Sequence, residues 1–93
     1  MEFEWDENKN KANILTHRID FRDAWQIFEN PIVKKVDGRK DYGEVSWVGL
    51  GKLGEGVVII IYTVRNERIR IISIRRANHY ERKIYKTQFE NSH

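Results

Sequence analysis

The chain lacks cysteine altogether and has a single proline among its 93 residues. Without cysteine there can be no disulfide bond and no thiolate-bound metal, and no feature of the sequence indicates an oxidising compartment. Long hydrophobic runs are also missing, because the longest, residues 57–62, is far shorter than the roughly 20 residues that span a bilayer. The N-terminus is acidic and has no secretory signal. We therefore expect a cytoplasmic protein that has no membrane partner.

The charges that are present are unevenly distributed along the chain, although the net charge is only +3. Residues 1–30 contain seven acidic and four basic side chains, whereas residues 65–86 contain two acidic and eight basic ones. A local excess of this kind suits a polyanionic ligand, and a solvated basic face is the alternative interpretation. A chain of this length is expected to fold as one domain, residues 1–93.

Helix signals lie at the beginning of the chain. Asp6 can cap a helix that runs to about residue 16, and Asp20 can cap a second helix that Asn30 and Pro31 end. In the first helix a spacing of four places three polar side chains on one face: Lys9, Asn13 and His17.

A β pattern begins at residue 32. Four β-rich runs are separated by turn residues: residues 32–36, 44–50, 57–64 and 68–77. Short connections predict antiparallel pairing, and the uniformly apolar third run is typical of a central strand. A last helix begins after Asn78, where Glu81 completes a variant of the capping box. The predicted fold is α+β, with two N-terminal helices, a four-stranded mainly antiparallel sheet and one C-terminal helix.

The last strand predicts a fixed cation. Simple alternation places Arg75 at the end of a face that it shares with Ile69, Ile71 and Ser73, so packing should hold its side chain. A planar guanidinium can bind phosphate oxygens through two hydrogen bonds and stabilise negative charge that builds on them. Alternatively Arg75 pairs with Glu81, and the two interpretations are compatible.

Cleavage of a phosphodiester without a metal also needs side chains that take and give protons. Tyr85, one helical turn after Glu81, is one candidate, although a core position is the more common fate of an isolated tyrosine. His17 is another candidate. We predict neither a metal site nor a cofactor, because the three histidines lack the spacing of metal ligands: His17, His79 and His93.

Both ends of the sequence resemble one known family, the BrnT toxins of bacterial type II toxin–antitoxin systems. Residues 3–7, the helix face of Lys9, Asn13 and His17, and residues 28–31 are similar to the family's opening motif. Residues 70–77, followed by Glu81, Arg82 and Tyr85, are similar to its ending motif. Two positions depart from the pattern. Arg18 stands where the family has glycine, so we expect the turn there to be made differently, and Ile74 stands where the family has alanine.

The resemblance implies a RelE/ParE-like fold and a metal-independent endoribonuclease that inhibits translation. It also implies a small BrnA-type antitoxin that binds DNA and forms a 2:2 heterotetramer with the toxin. The catalytic residues that follow from the resemblance and from the analysis above are Arg75, Arg65, Tyr85 and His17. The residues expected to bind RNA are Arg68, Arg70, Arg76, Arg82, Lys83, Lys86 and Lys9.

Two other functions remain open at this point. In a noncatalytic module for nucleic acid or a partner protein, the same arginines would only contact phosphates. A poison of DNA gyrase is the other, since some members of the same fold group act in that way.

Overall fold

The computed structural model describes residues 1–41 and 43–89. Within these residues the chain forms β1 (Glu2–Trp5), α1 (Glu7–His17), a 3-10 turn (Phe21–Asp23), α2 (Trp25–Phe28), β2 (Val33–Asp41), β3 (Glu44–Leu53), β4 (Gly56–Arg65), β5 (Arg68–Arg76) and α3 (His79–Phe89). The strands make one mixed sheet in the order β1-β5-β4-β3-β2. β1 is parallel to β5, and the other neighbours are antiparallel.

The fold predicted from the sequence is wrong at the N-terminus. The chain begins with a fifth strand, β1, which places Phe3 beside Ile69 and Trp5 beside Ile71 of β5. Residues 2–5 alternate acidic and aromatic side chains, which is the two-residue period of a strand. The run is short, however, and its partner strand is far away in sequence: Glu2 pairs with Arg68, 66 residues later. The second predicted helix is also reduced, to a 3-10 turn and the four residues of α2.

The two faces of the sheet are packed differently. The face that we call the α2 face is covered by the segment from Ile19 to Phe28, which contacts Val58, Ile60 and Tyr62 of β4. On the opposite face, the α3 face, Tyr85 and Phe89 of α3 pack near Leu50 and Ile59. Because β4 is apolar toward both sides and lies between β3 and β5, its predicted central position is confirmed.

A register shift in β5 changes which of its side chains share a face. Opposite the Ile61–Tyr62 step of β4, Ser73 pairs with Ile61 and Ile71 pairs with Tyr62, so Ile72 is an extra residue. Ile71 and Ile74 are therefore both buried on the α2 face, and Ser73 and Arg75 lie on the α3 face. The predicted sharing of one face by Ile69, Ile71, Ser73 and Arg75 is wrong, since simple alternation takes no account of a bulge.

Helix α1 is attached to the sheet through two buried asparagines. β1 covers the edge of β5 only as far as Ile71, and beyond it Asn13 hydrogen-bonds both backbone groups of Ile74. The Asn13 amide donates to the Ile74 carbonyl over 2.9 Å and accepts the Ile74 N–H over 3.1 Å. Asn10 accepts the N–H of Phe21 and donates to Asp20, which fixes the chain after α1. A side-chain amide thus continues the pairing where the neighbouring strand has ended.

The turn after α1 has the geometry that the family's glycine would provide. Arg18 adopts a left-handed conformation (φ 61°, ψ 29°), and its N–H donates to the Ile14 carbonyl over 2.9 Å. The expectation of a different turn is therefore wrong. A side chain other than glycine in this conformation costs on the order of 1 kcal/mol.

Replacing Asn13 by alanine is expected to lower the free energy of unfolding by roughly 3 kcal/mol, because the buried N–H and C=O of Ile74 would lose their partner. Urea unfolding followed by circular dichroism measures this difference. Asn8→Ala, at an exposed position of the same helix, is the matched control and should change stability by less than about 0.5 kcal/mol. Equal losses in the two variants would contradict the role assigned to Asn13.

Candidate functional site

Among the described residues of the basic segment, residues 65–86, four arginines pair with carboxylates, and three of them lie at one end of the sheet. Arg65 pairs with Glu44, Arg68 with Glu2 over 3.4 Å, and Arg70 with Glu4 over 3.1 Å. The hydrogen bond from Arg65 lowers the pKa of the Glu44 carboxyl, so this group stays charged. All three pairs lie at the end of the sheet where β4 turns into β5, so each of these guanidinium groups has a carboxylate beside it.

The other end of the sheet carries basic side chains in a groove between α3 and the β3–β4 turn, which we call the basic groove. Its volume is about 290 Å³. Its charged and titratable lining residues are Lys52, Glu55, His79, Arg82, Lys83 and Lys86. The guanidinium of Arg76 lies against Gly56 in the same turn. Among residues 1–41 and 43–89, neither Arg76 nor Lys83 nor Lys86 has a carboxylate partner.

Lys52 and His79 were not among the residues predicted for the site. Lys52 lies near the end of β3 and His79 in the first turn of α3, so they are 27 positions apart in sequence. A basic residue next to a predicted hairpin turn gives no indication that the turn will meet a distant helix. Only the order of the strands brings the two residues into one groove.

Arg75 lies at the edge of this region and is held by Glu81. Its Nη1 donates to Glu81 Oε1 over 2.9 Å, and its Nη2 donates to Oε2 over 2.8 Å. Glu81 also accepts the N–H of Asn78, and the Asn78 side chain accepts the N–H of Glu81, which confirms the predicted capping box. The bond to Arg75 lowers the pKa of Glu81 and raises that of Arg75.

The pair fixes the guanidinium without enclosing it. The Arg75 side chain keeps 42% of its surface exposed, against 20% for Glu81. A ligand oxygen can therefore approach the guanidinium while both carboxylate oxygens still orient it. The pairing with Glu81 that the sequence left as an alternative is thus present, together with an accessible cation.

A second groove, which we call the α1 groove, lies along the open edge of β5. Its volume is about 320 Å³, and Lys9, Asn13 and His17 line it together with Ile72 and Ser73. The three polar residues thus share one face of α1, as predicted. Ser73 and Arg75 are two residues apart on the same face of β5, which is about 7 Å along a strand. The structure therefore places Lys9 and His17 beside Ser73, which lies two residues before Arg75 on β5.

Two of the predicted catalytic residues lie elsewhere. Arg65 is six positions along β4 from Ile59, the partner of Arg75, so the two arginines are about 20 Å apart. Tyr85 is 3% exposed in the core beneath α3, and its hydroxyl donates to the Pro31 carbonyl over 3.2 Å. The structure brings neither residue to the stretch of β5 that carries Arg75.

Residues 1–41 and 43–89 offer neither a cluster of metal ligands nor a membrane-spanning helix. They contain no group of three or more histidine, cysteine or acidic side chains arranged to hold a metal ion. His93 lies outside the described residues. None of the described helices is both long enough and apolar enough to cross a bilayer.

A family model matches most of the chain. The model of the family described as ribonuclease toxin, BrnT, of type II toxin-antitoxin system matches residues 5–81. The match spans α1 with its polar face, all of β5, and the Arg75–Glu81 pair, and it ends before Lys83 and Lys86. No curated protein matches the chain.

Replacing Glu81 by glutamine is expected to lower the free energy of unfolding at pH 7 by about 1 kcal/mol, because the ion pair is partly exposed to solvent. Since the pKa of Glu81 is lowered in the folded state, its contribution is complete above the ordinary pKa of a glutamate. It is lost as the pH falls through the lowered value, so wild type and variant should converge in acid. Urea unfolding from pH 7 to pH 3 measures this, with Glu29→Gln as an exposed control. A constant difference across the range would contradict the assignment.

Proposed function

Because this chain belongs to the BrnT family of ribonuclease toxins of type II toxin–antitoxin systems, we propose that it is an endoribonuclease that cleaves RNA beside the C-terminal half of β5. The observation that carries this location is the separation of the basic side chains into two groups. At one end of the sheet three arginines are neutralised by glutamates, and at the other a groove of basic residues adjoins Arg75. A polyanion is attracted to the second end.

Arg75 is proposed to hold the phosphate that is cleaved. When the 2′-oxygen attacks phosphorus, negative charge grows on the phosphate oxygens before the bond to the 5′-oxygen breaks. A guanidinium already oriented by Glu81 can stabilise this charge without first having to be ordered. Glu81 acts through Arg75 and is therefore a positioning residue.

His17 is proposed to transfer a proton in the same reaction. The 2′-hydroxyl must lose a proton and the leaving 5′-oxygen must gain one, and a histidine can exchange protons near neutral pH. His17 and Lys9 line the α1 groove with Ser73, one step along β5 from Arg75. A phosphate bound at Arg75 would therefore have its ribose near this groove. Cleavage of this kind needs neither Tyr85 nor Arg65, whose catalytic roles stay predictions.

RNA on either side of the cleaved bond is proposed to follow the basic groove. Arg82 is fixed there by donating to the Ala77 carbonyl over 2.9 Å, and Lys83 and Lys86 continue along α3. Contacts of this kind with phosphates position a strand and do not read its bases. Arg68 and Arg70, which were also predicted to bind RNA, are occupied by glutamates and are not needed for this path.

The family also implies an antitoxin partner. We propose that this partner is a small BrnA-type protein that binds DNA, that the two form a 2:2 heterotetramer, and that unrestrained cleavage of RNA inhibits translation. A symmetric assembly of this kind is the usual outcome when one partner is itself a dimer.

Arg75→Ala is expected to abolish growth arrest on induced expression and to lower RNA cleavage by about 100-fold or more, because an oriented donor to the transition state is lost. Arg65→Ala is the matched control, since it also removes an arginine that pairs with a glutamate on the α3 face, and it should remain toxic. Growth curves and electrophoresis of total RNA measure both effects. Cleavage by the wild type is expected to persist in EDTA.

Three other outcomes would contradict this assignment. Loss of toxicity in Arg65→Ala with full activity in Arg75→Ala would move the active site to the opposite end of the sheet. Growth arrest with intact RNA would support a gyrase poison, and wild type without toxicity or cleavage would support a noncatalytic binding module.

The double variant Lys83→Ala/Lys86→Ala is expected to bind RNA more weakly and with less dependence on salt. Each lost contact with a single strand lowers the slope of log affinity against log salt by about 0.7, so the double variant should lose about 1.4. The matched control is Arg68→Ala/Arg70→Ala, which removes two bases that already have carboxylate partners and should leave the slope unchanged. Fluorescence anisotropy with a 2′-O-methyl RNA, which resists cleavage, measures the slopes. Equal losses in both variants would contradict the basic groove as the RNA path.

A further inference from the structure

A groove with an apolar floor lies on the α3 face, between α3 and strands β2 and β3, and we call it the α3–β2 groove. Its volume is about 340 Å³. Val33, Val48, Leu50 and Ile59 form the floor, and they come from three adjacent strands. Ribonuclease activity as proposed above uses none of these four residues.

The wall of the groove is an apolar stripe of α3 that the sheet does not bury. The helix packs on the sheet through Tyr85 and Phe89, whose rings are 4.9 Å apart. Tyr80 and Ile84, also four residues apart, face the groove and keep 71% and 38% of their surface exposed. A helix of a monomer normally buries one apolar stripe and solvates the rest, so a second stripe beside an apolar floor is typical of a surface for a partner protein.

The charge around the groove is positive. Lys35 lines it from β2 and is exposed. The Lys34 ammonium lies 5.5 Å from the ring centroid of Trp47, on the α2 face, and does not contribute to this charge. Glu81 is the single acidic residue among the lining residues, and its oxygens already accept hydrogen bonds from Arg75 and from the Asn78 N–H. The negative charge of Glu81 is therefore compensated, and a negatively charged ligand would meet the positive charge of Lys35.

We propose that the α3–β2 groove is the docking site of the cognate antitoxin, which inserts a segment with apolar side chains followed by carboxylates. The apolar side chains would cover Val33, Leu50, Tyr80 and Ile84, and a carboxylate would pair with Lys35. This inference uses the antitoxin partner of the proposed function and does not depend on the ribonuclease activity.

Binding in this groove accounts for neutralisation of the toxin. Glu81 lines the α3–β2 groove and also orients Arg75, so a segment that lies over Glu81 lies beside the exposed part of the Arg75 guanidinium. The antitoxin thus blocks access of a phosphate to Arg75 without occupying the basic groove on the other side of α3. The RNA path and the antitoxin surface are adjacent and separate.

The test measures the affinity of purified toxin variants for the antitoxin encoded in the same operon. Tyr80→Asp removes apolar contact at a position that is mostly solvent-exposed, and Lys35→Glu reverses the charge at the rim. Each is expected to weaken the complex about tenfold or more while the protein stays toxic when expressed alone, because neither residue has a role in cleavage. The effect of Lys35→Glu should diminish at high salt.

The matched control is Val64→Glu, which places a charge at an exposed valine on the opposite face of the sheet and should leave the affinity unchanged. Circular dichroism establishes that each variant is folded. Wild-type affinity in both groove variants would overturn the proposal, as would weakening by Val64→Glu alone, which would place the antitoxin on the α2 face. A wild type that binds antitoxin but cleaves no RNA would contradict the ribonuclease proposal and leave this comparison intact.

Discussion

The hydrogen bonds between the Asn13 amide and the backbone of Ile74 are the constraint on which the arrangement of this protein depends. α1 buries two asparagines, Asn10 and Asn13, and Leu15 on the same helix is 73% exposed, so the helix is held more by directional bonds than by an apolar stripe. Because Asn13 takes the place of a neighbouring strand, β1 can end at Trp5 and the edge of β5 beyond it stays open. The open edge is what allows a groove that contains His17 to form next to the stretch of β5 that carries Arg75.

Charge compensation then divides the sheet into two ends. β1 supplies Glu2 and Glu4 to the first arginines of β5, and β3 supplies Glu44 to the last residue of β4. In the basic groove, Glu55 is the one carboxylate among the described lining residues, beside Arg82, Lys83 and Lys86 of α3. The acidic N-terminus and the basic C-terminal half, which look like opposite features of the sequence, are thus partners at one end of the sheet only.

Local signals predicted the parts of the fold that depend on neighbours in sequence. Asp6 caps α1 by accepting the N–H groups of Asn8 and Lys9, and the box of Asn78 and Glu81 starts α3. The polar face of α1 was predictable for the same reason. The predictions that were wrong concern features that depend on partners distant in sequence. Strand β1 needs β5, the bulge at Ile72 exists only in the pairing with β4, and β2 continues past Gly38 because a register shift against β3 absorbs it. The site shares this limit, because charge alone did not distinguish Arg68 and Arg70, which pair with glutamates, from Lys83 and Lys86 in the basic groove.

The parallel pairing of β1 with β5 also determines when the protein can complete its fold. Strand β1, Glu2–Trp5, has its partner at Arg68–Ile71, so this pair closes a loop of more than 60 residues. Contacts of such sequence separation form late, since the entropy of loop closure must be overcome before they stabilise the chain. During synthesis β1 and α1 therefore wait for β5, more than 60 residues later in the chain, before the surroundings of Arg75 can assemble.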